Sequence, residues 1–293
     1  MEPVDVEVAV DRRRAWLADH LDAAARRLHV TRSDERVVNT YDMRSAGTVV
    51  HDGDSTAWLR IVVEDTDYQP ASRWEGNVEA NAIQGVPKPT VLRWIDWHAT
   101  NENGHDRRLR AELMTLAPGQ PITPDGLLTD DPELPDQWWS DLNVALRTLA
   151  THTPAPGDVV DILDYTAHLT RELLGLDFDP SSIAITWSTA HADLHWANLT
   201  GPELCILDWE SWRTAPAGYD AATLYCNSLL HPPTAQRVRD TFADLLDNPT
   251  GRVSLLAAAL RCLTLADEGG VYQGFDAQLR ELCDVLLDRL SAK

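Results

Sequence analysis

Lysine is nearly absent from this chain. Only Lys88 and Lys293 carry an ammonium, so arginine supplies almost all of the 25 basic side chains, against 46 acidic ones. The resulting net charge of -21 argues against a nucleic-acid backbone or an anionic membrane as partner and favours a cationic small molecule. Cysteine is scarce as well: Cys205, Cys226, Cys262 and Cys283 are widely spaced and form no CxxC pair. That spacing suits neither a zinc site nor a disulfide framework, and a reducing cytoplasm is the expected location. The N-terminus opens on acidic residues, and no uncharged apolar run approaches the roughly twenty residues of a membrane span, so neither export nor insertion is expected. A Ser/Gly-rich or proline-rich linker is missing too, which predicts two lobes folded against each other rather than two separate modules. Internal repeats and low-complexity tracts are not evident.

Apolar and polar residues alternate with recognisable periods. Leu17, Leu21, Ala24 and Leu28 recur at helical spacing and predict an amphipathic helix over 10–28. Segments rich in β-branched and aromatic residues follow at 37–41, 48–51 and 56–63, the last two joined by a hairpin turn at Asp52-Gly53. A helix is expected over 71–83, ended by GVPKP, and then strands over 91–97 and 108–116 around the polar turn NENGHD. Residues 1–116 therefore read as a five-stranded antiparallel sheet with one helix, preceded by the N-terminal helix. The glycine- and proline-rich LAPGQPITPDG is a connector, and residues 117–293 are dominated by helical patterns at 136–151, 158–174, 218–230, 233–246, 251–266 and 274–290. Only 183–187 and 204–207 look like strands there. The expected fold class is α+β, a β-rich N-lobe and a helical C-lobe. Trp16, Trp94 and Trp138 are expected as packing residues.

The two C-lobe strands bracket HADLHWANLTGPELCILDWESW, residues 191–212. Two carboxylates, Asp193 and Asp208, with the amide of Asn198, suit a hard cation such as magnesium, which binds through one or two carboxylates plus substrate phosphates. The order His-x-Asp-x4-Asn, then a strand, then Asp is that of the catalytic and metal loop of kinases: the first Asp takes a hydroxyl proton, and the Asn and second Asp hold metal.

HADLHWAN, LDWE and the later GYDAATL resemble the aminoglycoside phosphotransferases and their relatives, including choline kinase, which carry a loop like HGDLHxxN followed by IDWE. The resemblance spans nearly the whole chain, and it implies a two-lobed protein-kinase-like fold and transfer of the γ-phosphoryl of ATP or GTP to a hydroxyl of a small acceptor. Aminoglycoside-type antibiotics are then the first acceptor class to consider. By resemblance Asp193 is the catalytic base, Asn198 and Asp208 are magnesium ligands, and His191 belongs to the catalytic loop, which it orients together with Asp220. The backbone of Thr115 to Ala117 would meet the adenine beside Met114. The family builds its acceptor site from helices after the metal loop, where Asp267 and Glu268 stand, and Glu210 is either a loop ion-pair partner or an acceptor-site carboxylate.

The family's third-strand lysine is replaced here. The strand reads AWLRIVV, with Arg60 in that position; a guanidinium keeps the charge and grips phosphate bidentately, but it is longer and planar. Glu75 is its expected partner, with Glu79 second, and MRSAGTVV, with Ser45 and Gly47, is the expected phosphate-covering turn. Two other classes remain: a pseudokinase that binds nucleotide without turnover, and a metal-dependent hydrolase that uses HADLH as an H-x-D-x-H ligand cluster. Turnover separates the first from a kinase, and zinc content the second.

Overall fold

The computed structural model describes residues 3–40, 43–64, 74–153, 162–267 and 275–291, with side chains from residue 8 onward apart from that of Asp267. They fall into two compact units, Met1–Asn81 with Pro89–Ala117, and Ala82–Lys88 with Pro118–Lys293. The short stretch containing GVPK thus folds with the helical unit, where the Ile206 amide donates to the Pro87 carbonyl at 2.8 Å.

The first unit is a helix laid on a six-stranded antiparallel sheet. Helix α1 (Pro3–Leu28) precedes β1 (Thr31–Arg32), β2 (Val38–Asn39), β3 (Ser45–Asp52), β4 (Ser55–Val63), β5 (Val91–Thr100) and β6 (Asp106–Thr115). Spatial order is β1-β3-β4-β6-β5, with β2 also on β3. Alternation along the strands divides the sheet into two chemically different faces. On one, Val50, Leu59, Ile61, Leu109, Ala111 and Leu113 bury themselves against Leu17, Leu21, Ala24 and Leu28 of α1. On the other, Gly47 pairs with Arg60, Arg60 with Glu112 and Glu112 with Trp94, a ladder across four strands.

Several boundaries differ from the periodicity. The sheet gains β1, whose two residues are too few to show alternation, and β2 is shorter than 37–41. The helix expected over 71–83 has residues 71–73 outside the described part; the rest is α2 (Gly76–Glu79) and a 3-10 turn, Ala80–Ala82. Asn81 explains that stop, because its side-chain amide exchanges two hydrogen bonds with the backbone of Val91, at 2.8 and 3.0 Å, and so acts as a strand partner. Trp94 is 46% exposed rather than packed, since β5 is an edge strand and Trp94 faces away from α1.

In the second unit β7 (Gln120–Pro121) pairs with β9 (Thr200–Gly201), and β8 (Trp187–Ala190) with β10 (Arg213–Pro216). The strands expected at 183–187 and 204–207 differ from those found: β8 starts later and its partner lies beyond the loop, while the second segment makes a bridge, Leu199 to Ile206. Helices α3 (Asp136–Ala150), α4 (Ile162–Leu174), α5 (Tyr219–Cys226), α6 (Pro232–Thr241), α7 (Ala243–Leu246), α8 (Pro249–Asp267) and α9 (Asp276–Ser291) complete it. Helix α8 is apolar on nearly all sides, which marks a helix buried in the core, and it packs against α4, α5 and α9. No helix among the described residues is long and apolar enough to cross a membrane.

One ion cluster ties α2 to the outer sheet face. Arg110, 1% exposed, reaches both oxygens of Glu75 (2.7 and 2.9 Å), both of Asp96 (2.7 and 2.8 Å) and the Trp74 carbonyl. Burial would raise the Asp96 carboxyl, but hydrogen bonds from Arg110 and Arg108 hold it down at about 2. Because this value lies below that of an unfolded aspartate, the stabilisation is complete above the unfolded pKa near 4 and is lost as pH falls through 2. Asp96→Asn is expected to cost about 1 kcal/mol at neutral pH, less than the full shift implies because solvent screens a partly exposed carboxylate, with the gap to the parent closing between pH 4 and 2. Urea unfolding across that range checks it; a pH-independent gap contradicts the pairing.

Candidate active site

The motif loop begins where β8 ends, and its path is set by α5 from behind. Because β10 runs antiparallel to β8 and leads through Gly218 (φ 89°) into α5, the first turn of that helix arrives beneath the loop. Asp220 there accepts hydrogen bonds from the amides of His191 (2.8 Å) and Ala192 (2.9 Å). These bonds hold Ala192 at φ 65°, a left-handed conformation that alanine adopts at a cost. Burial pushes the Asp220 carboxyl above its ordinary value, although the His191 ring and the two amides oppose this.

His191 joins the two halves of the motif. Its fully buried ring donates from Nε2 to the Leu207 carbonyl at 2.8 Å and meets Trp209 edge-on at 4.8 Å. It works through the backbone, so its place is that of a positioning residue and not of a group that meets substrate. The next turn, Trp196–Asn198, is anchored by the buried Trp196 ring, which stacks on Trp138 at 6.2 Å and donates to Ser228 at 3.0 Å.

Asp193, Asn198 and Asp208 are brought together by this frame. Asn198 Nδ2 donates to the Asp193 carbonyl at 2.9 Å, which turns its amide oxygen to the opposite side. The Leu207 amide donates to the Asn198 carbonyl at 2.8 Å, and the adjoining Asp208 sits at φ 57°, in the left-handed region that Asp tolerates better than most residues. Glu210 is buried in the 3-10 turn that follows. An amide oxygen and a carboxylate oxygen are hard donors of the kind magnesium takes, so the pair fits that ion. Among the described residues no group of three or more His, Cys, Asp or Glu side chains is arranged to hold a metal, and in HADLH the His191 Nε2 is already spent on the Leu207 carbonyl.

The Asp193 carboxylate, 24% exposed, has a partner that the motif does not contain: Arg261 on α8 donates from Nη2 to its Oδ1 at 2.7 Å, while His195 Nε2 stands 3.7 Å from Oδ2. Burial alone would raise the Asp193 carboxyl, but the charges of Arg261, His195, His191 and Arg213 bring it below the ordinary value. Burial lowers His195. A carboxylate beside a neutral imidazole is the state expected at neutral pH. The sequence did carry a signal for Arg261: it is the one charge in the apolar run VSLLAAALRCLTL, and a charge in a buried helix needs a partner. Asp267 closes α8, about 9 Å further along the helix axis than Arg261 at 1.5 Å per residue. Glu268 lies outside the described residues.

In the first unit the expectations need three corrections. Glu75 gives both oxygens to Arg110 and not to Arg60. Arg60 Nη1 lies 3.7 Å from Glu112 on the neighbouring strand. Ser45 and Gly47 belong to β3, paired with Val62 and Arg60, and not to a turn. The turn between β2 and β3 is earlier, where the Met43 amide and the Ser45 amide bond to Thr40. Gly47 is required for space: a Cβ there would run into the Trp58 ring. The Thr115 amide is spent on the Thr90 carbonyl at 2.9 Å. Met114 shares a face with Arg60 and pairs with Trp58.

No family model and no curated protein matches the sequence. Among solved structures the chain is similar to aminoglycoside phosphotransferase APH(4)-Ia, with 14% identity, a TM-score of 0.60 and coverage of 97% of this chain and 100% of that one. A thermostable mutant of that enzyme in a ternary complex with ADP and hygromycin B matches with 14% identity, a TM-score of 0.59 and coverage of 89% and 95%. A microcompartment-associated aminopropanol kinase matches with 16% identity, a TM-score of 0.51 and coverage of 90% and 94%. The chain has the kinase-like fold of these small-molecule phosphotransferases.

Ala192 stands where the resembling loops carry glycine, and its positive φ makes the exchange testable. Ala192→Gly relieves about 1–2 kcal/mol of left-handed strain and returns about 0.4–1 kcal/mol through the freer unfolded chain. A net gain of about 1 kcal/mol, seen as a melting temperature higher by about 2–3 °C, is expected. A lower melting temperature would show that the loop does not hold this conformation.

Proposed function

We propose that this protein is a kinase that transfers the γ-phosphoryl of ATP or GTP to a hydroxyl of a small cationic acceptor, an aminoglycoside-type antibiotic or an amino sugar. The observation that carries the reading is that Asp193 and Asn198 are hydrogen-bonded on a loop clamped by Asp220, with Leu207, the residue before Asp208, bonded to the Asn198 backbone. The likeness to a phosphotransferase solved with ADP and hygromycin B supports it, and the net charge of -21 suits a cationic acceptor. The four buried thiols suit a reducing cytoplasm.

Each residue then has a task. Asp193 accepts the acceptor's proton on Oδ2, because Arg261 already holds Oδ1. As the proton leaves, the acceptor oxygen forms a bond to the γ-phosphorus, the bond from that phosphorus to the bridging oxygen breaks, and the nucleoside diphosphate departs with the electron pair. Asn198 through its amide oxygen and Asp208 through its carboxylate would hold magnesium, which neutralises charge on the phosphate oxygens. Arg60 provides the cation for the nucleotide phosphates, and the backbone of Leu116 and Ala117 the contacts to the base. Glu210 and Asp267 are acceptor-side carboxylates in this reading. Arginine at position 60 also keeps a second reading open, a pseudokinase that binds nucleotide without turnover.

Asp193→Asn is expected to lower turnover by about 10²- to 10⁴-fold with little change in nucleotide affinity. Asp208→Ala should abolish the magnesium dependence of nucleotide binding. Steady-state assays of nucleoside diphosphate release, beside titrations with and without magnesium, measure both. Parent-like turnover in the first variant would remove Asp193 from its role, and intact magnesium dependence in the second would do the same for Asp208.

A further inference from the structure

Glu112 is a buried carboxylate to which no role has yet been attached. It is 2% exposed, on a strand in the middle of the sheet, and ionised groups are rarely so buried without a cation and hydrogen-bond donors to compensate them. Both are present. Arg60 stands directly across the ladder, its Nη1 3.7 Å from Glu112 Oε2, and Asn77 of α2 donates from Nδ2 to the same oxygen at 3.0 Å. Glu75, at the N-cap of α2, is meanwhile spent on Arg110.

We propose that Glu112 is the positioning residue for the phosphate-binding cation Arg60, a task carried here by a sheet strand and not by a helix. The inference rests on the kinase reading above. Directly opposed residues of an antiparallel pair keep their Cβ atoms about 4.5–5.5 Å apart, so the register of β4 and β6 fixes where the Arg60 stem begins. Attraction to Glu112 then selects among the many rotamers of a long side chain. At 3.7 Å the contact is an ion pair too long for a hydrogen bond, so Glu112 restrains the guanidinium by charge without locking it in a hydrogen bond of its own. Asn77 fixes the carboxylate in turn. The separate Arg110–Glu75 pair holds α2 on the sheet, so attachment of the helix and aim of the cation are two devices.

The experiment compares binding of MgATP and of adenosine, by calorimetry, for the parent, Glu112→Gln, Glu112→Asp, Glu75→Gln, Arg60→Met and the double variant Arg60→Met with Glu112→Gln. Glu112→Gln is isosteric and can still accept from Asn77; it should weaken MgATP about tenfold, in the range of a charge-assisted contact, and leave adenosine unchanged. Glu112→Asp keeps the buried charge but withdraws it by one methylene, and should give a smaller loss of the same kind. The loss from Glu75→Gln should be several-fold smaller, and in the Arg60→Met background Glu112→Gln should add nothing. MgATP binding like the parent's in Glu112→Gln, an equal loss of adenosine and MgATP, or a full effect in the absence of Arg60 would each overturn the proposal while the kinase reading stands. A parent that binds no MgATP at millimolar concentration would overturn both.

Discussion

Two hydrogen bonds from the amides of His191 and Ala192 to the carboxylate of Asp220 govern the second unit's polar loop. The helix bearing Asp220 is placed by the β8–β10 pairing, and the carboxylate is nearly out of water, so the amides compensate a desolvated charge at the same time as they bend the backbone. Without the bend at Ala192 the chain would leave β8 straight, and Asp193 would not turn its carbonyl toward Asn198. His191 carries the constraint onward to Leu207, one residue before Asp208. The residues proposed as base and metal donors thus depend on one buried aspartate that has no part of its own in the proposed chemistry.

The first unit solves a different problem with its charges. Its sheet has one face committed to α1, and the other must carry arginines and carboxylates without leaving any of them buried alone. Two pairs result, Arg110 with Glu75 and Asp96, and Arg60 with Glu112. They lie on the same face, two residues apart along β6, and divide the work: the first, tight and bidentate, secures the helix; the second is looser and surrounds the side chain assigned to phosphate. Arginine suits both tasks because its guanidinium remains charged when buried, whereas a lysine ammonium loses its proton more readily.

What was legible in the sequence follows from how far apart the interacting residues lie along the chain. HADLHWAN could be read directly, since Asp193 and Asn198 must sit a fixed turn apart to meet, and that spacing is visible as letters. The α1 stripe of Leu17, Leu21, Ala24 and Leu28 was visible for the same reason. The partner of Arg60 was not, because it depends on strand register: an alternation one residue different would have set Ala111 or Leu113 opposite Arg60 in place of Glu112. Strand β10 was not legible, because Leu204–Leu207 is as apolar as a strand yet is held by a bridge, while Arg213–Pro216, half of it polar and with proline at its end, makes the ladder with β8. Gly47 looked like a turn residue by type, and only the Trp58 ring above it shows that it is small for packing. Arg261 reaches Asp193 from a helix far along the chain; its place as the one charge in an apolar run calls for a partner, but nothing in the letters names Asp193 as that partner.

The central claim is that a phosphoryl group passes from nucleotide to an acceptor hydroxyl at Asp193. Phosphorus NMR of the protein with MgATP and a panel of aminoglycosides, amino sugars and choline-like alcohols tests it most directly. The account predicts a new phosphomonoester resonance that grows in step with ADP for at least one acceptor and is absent with Asp193→Asn. ADP accompanied only by inorganic phosphate for every acceptor, or a phosphomonoester formed equally well without the Asp193 carboxylate, would contradict it.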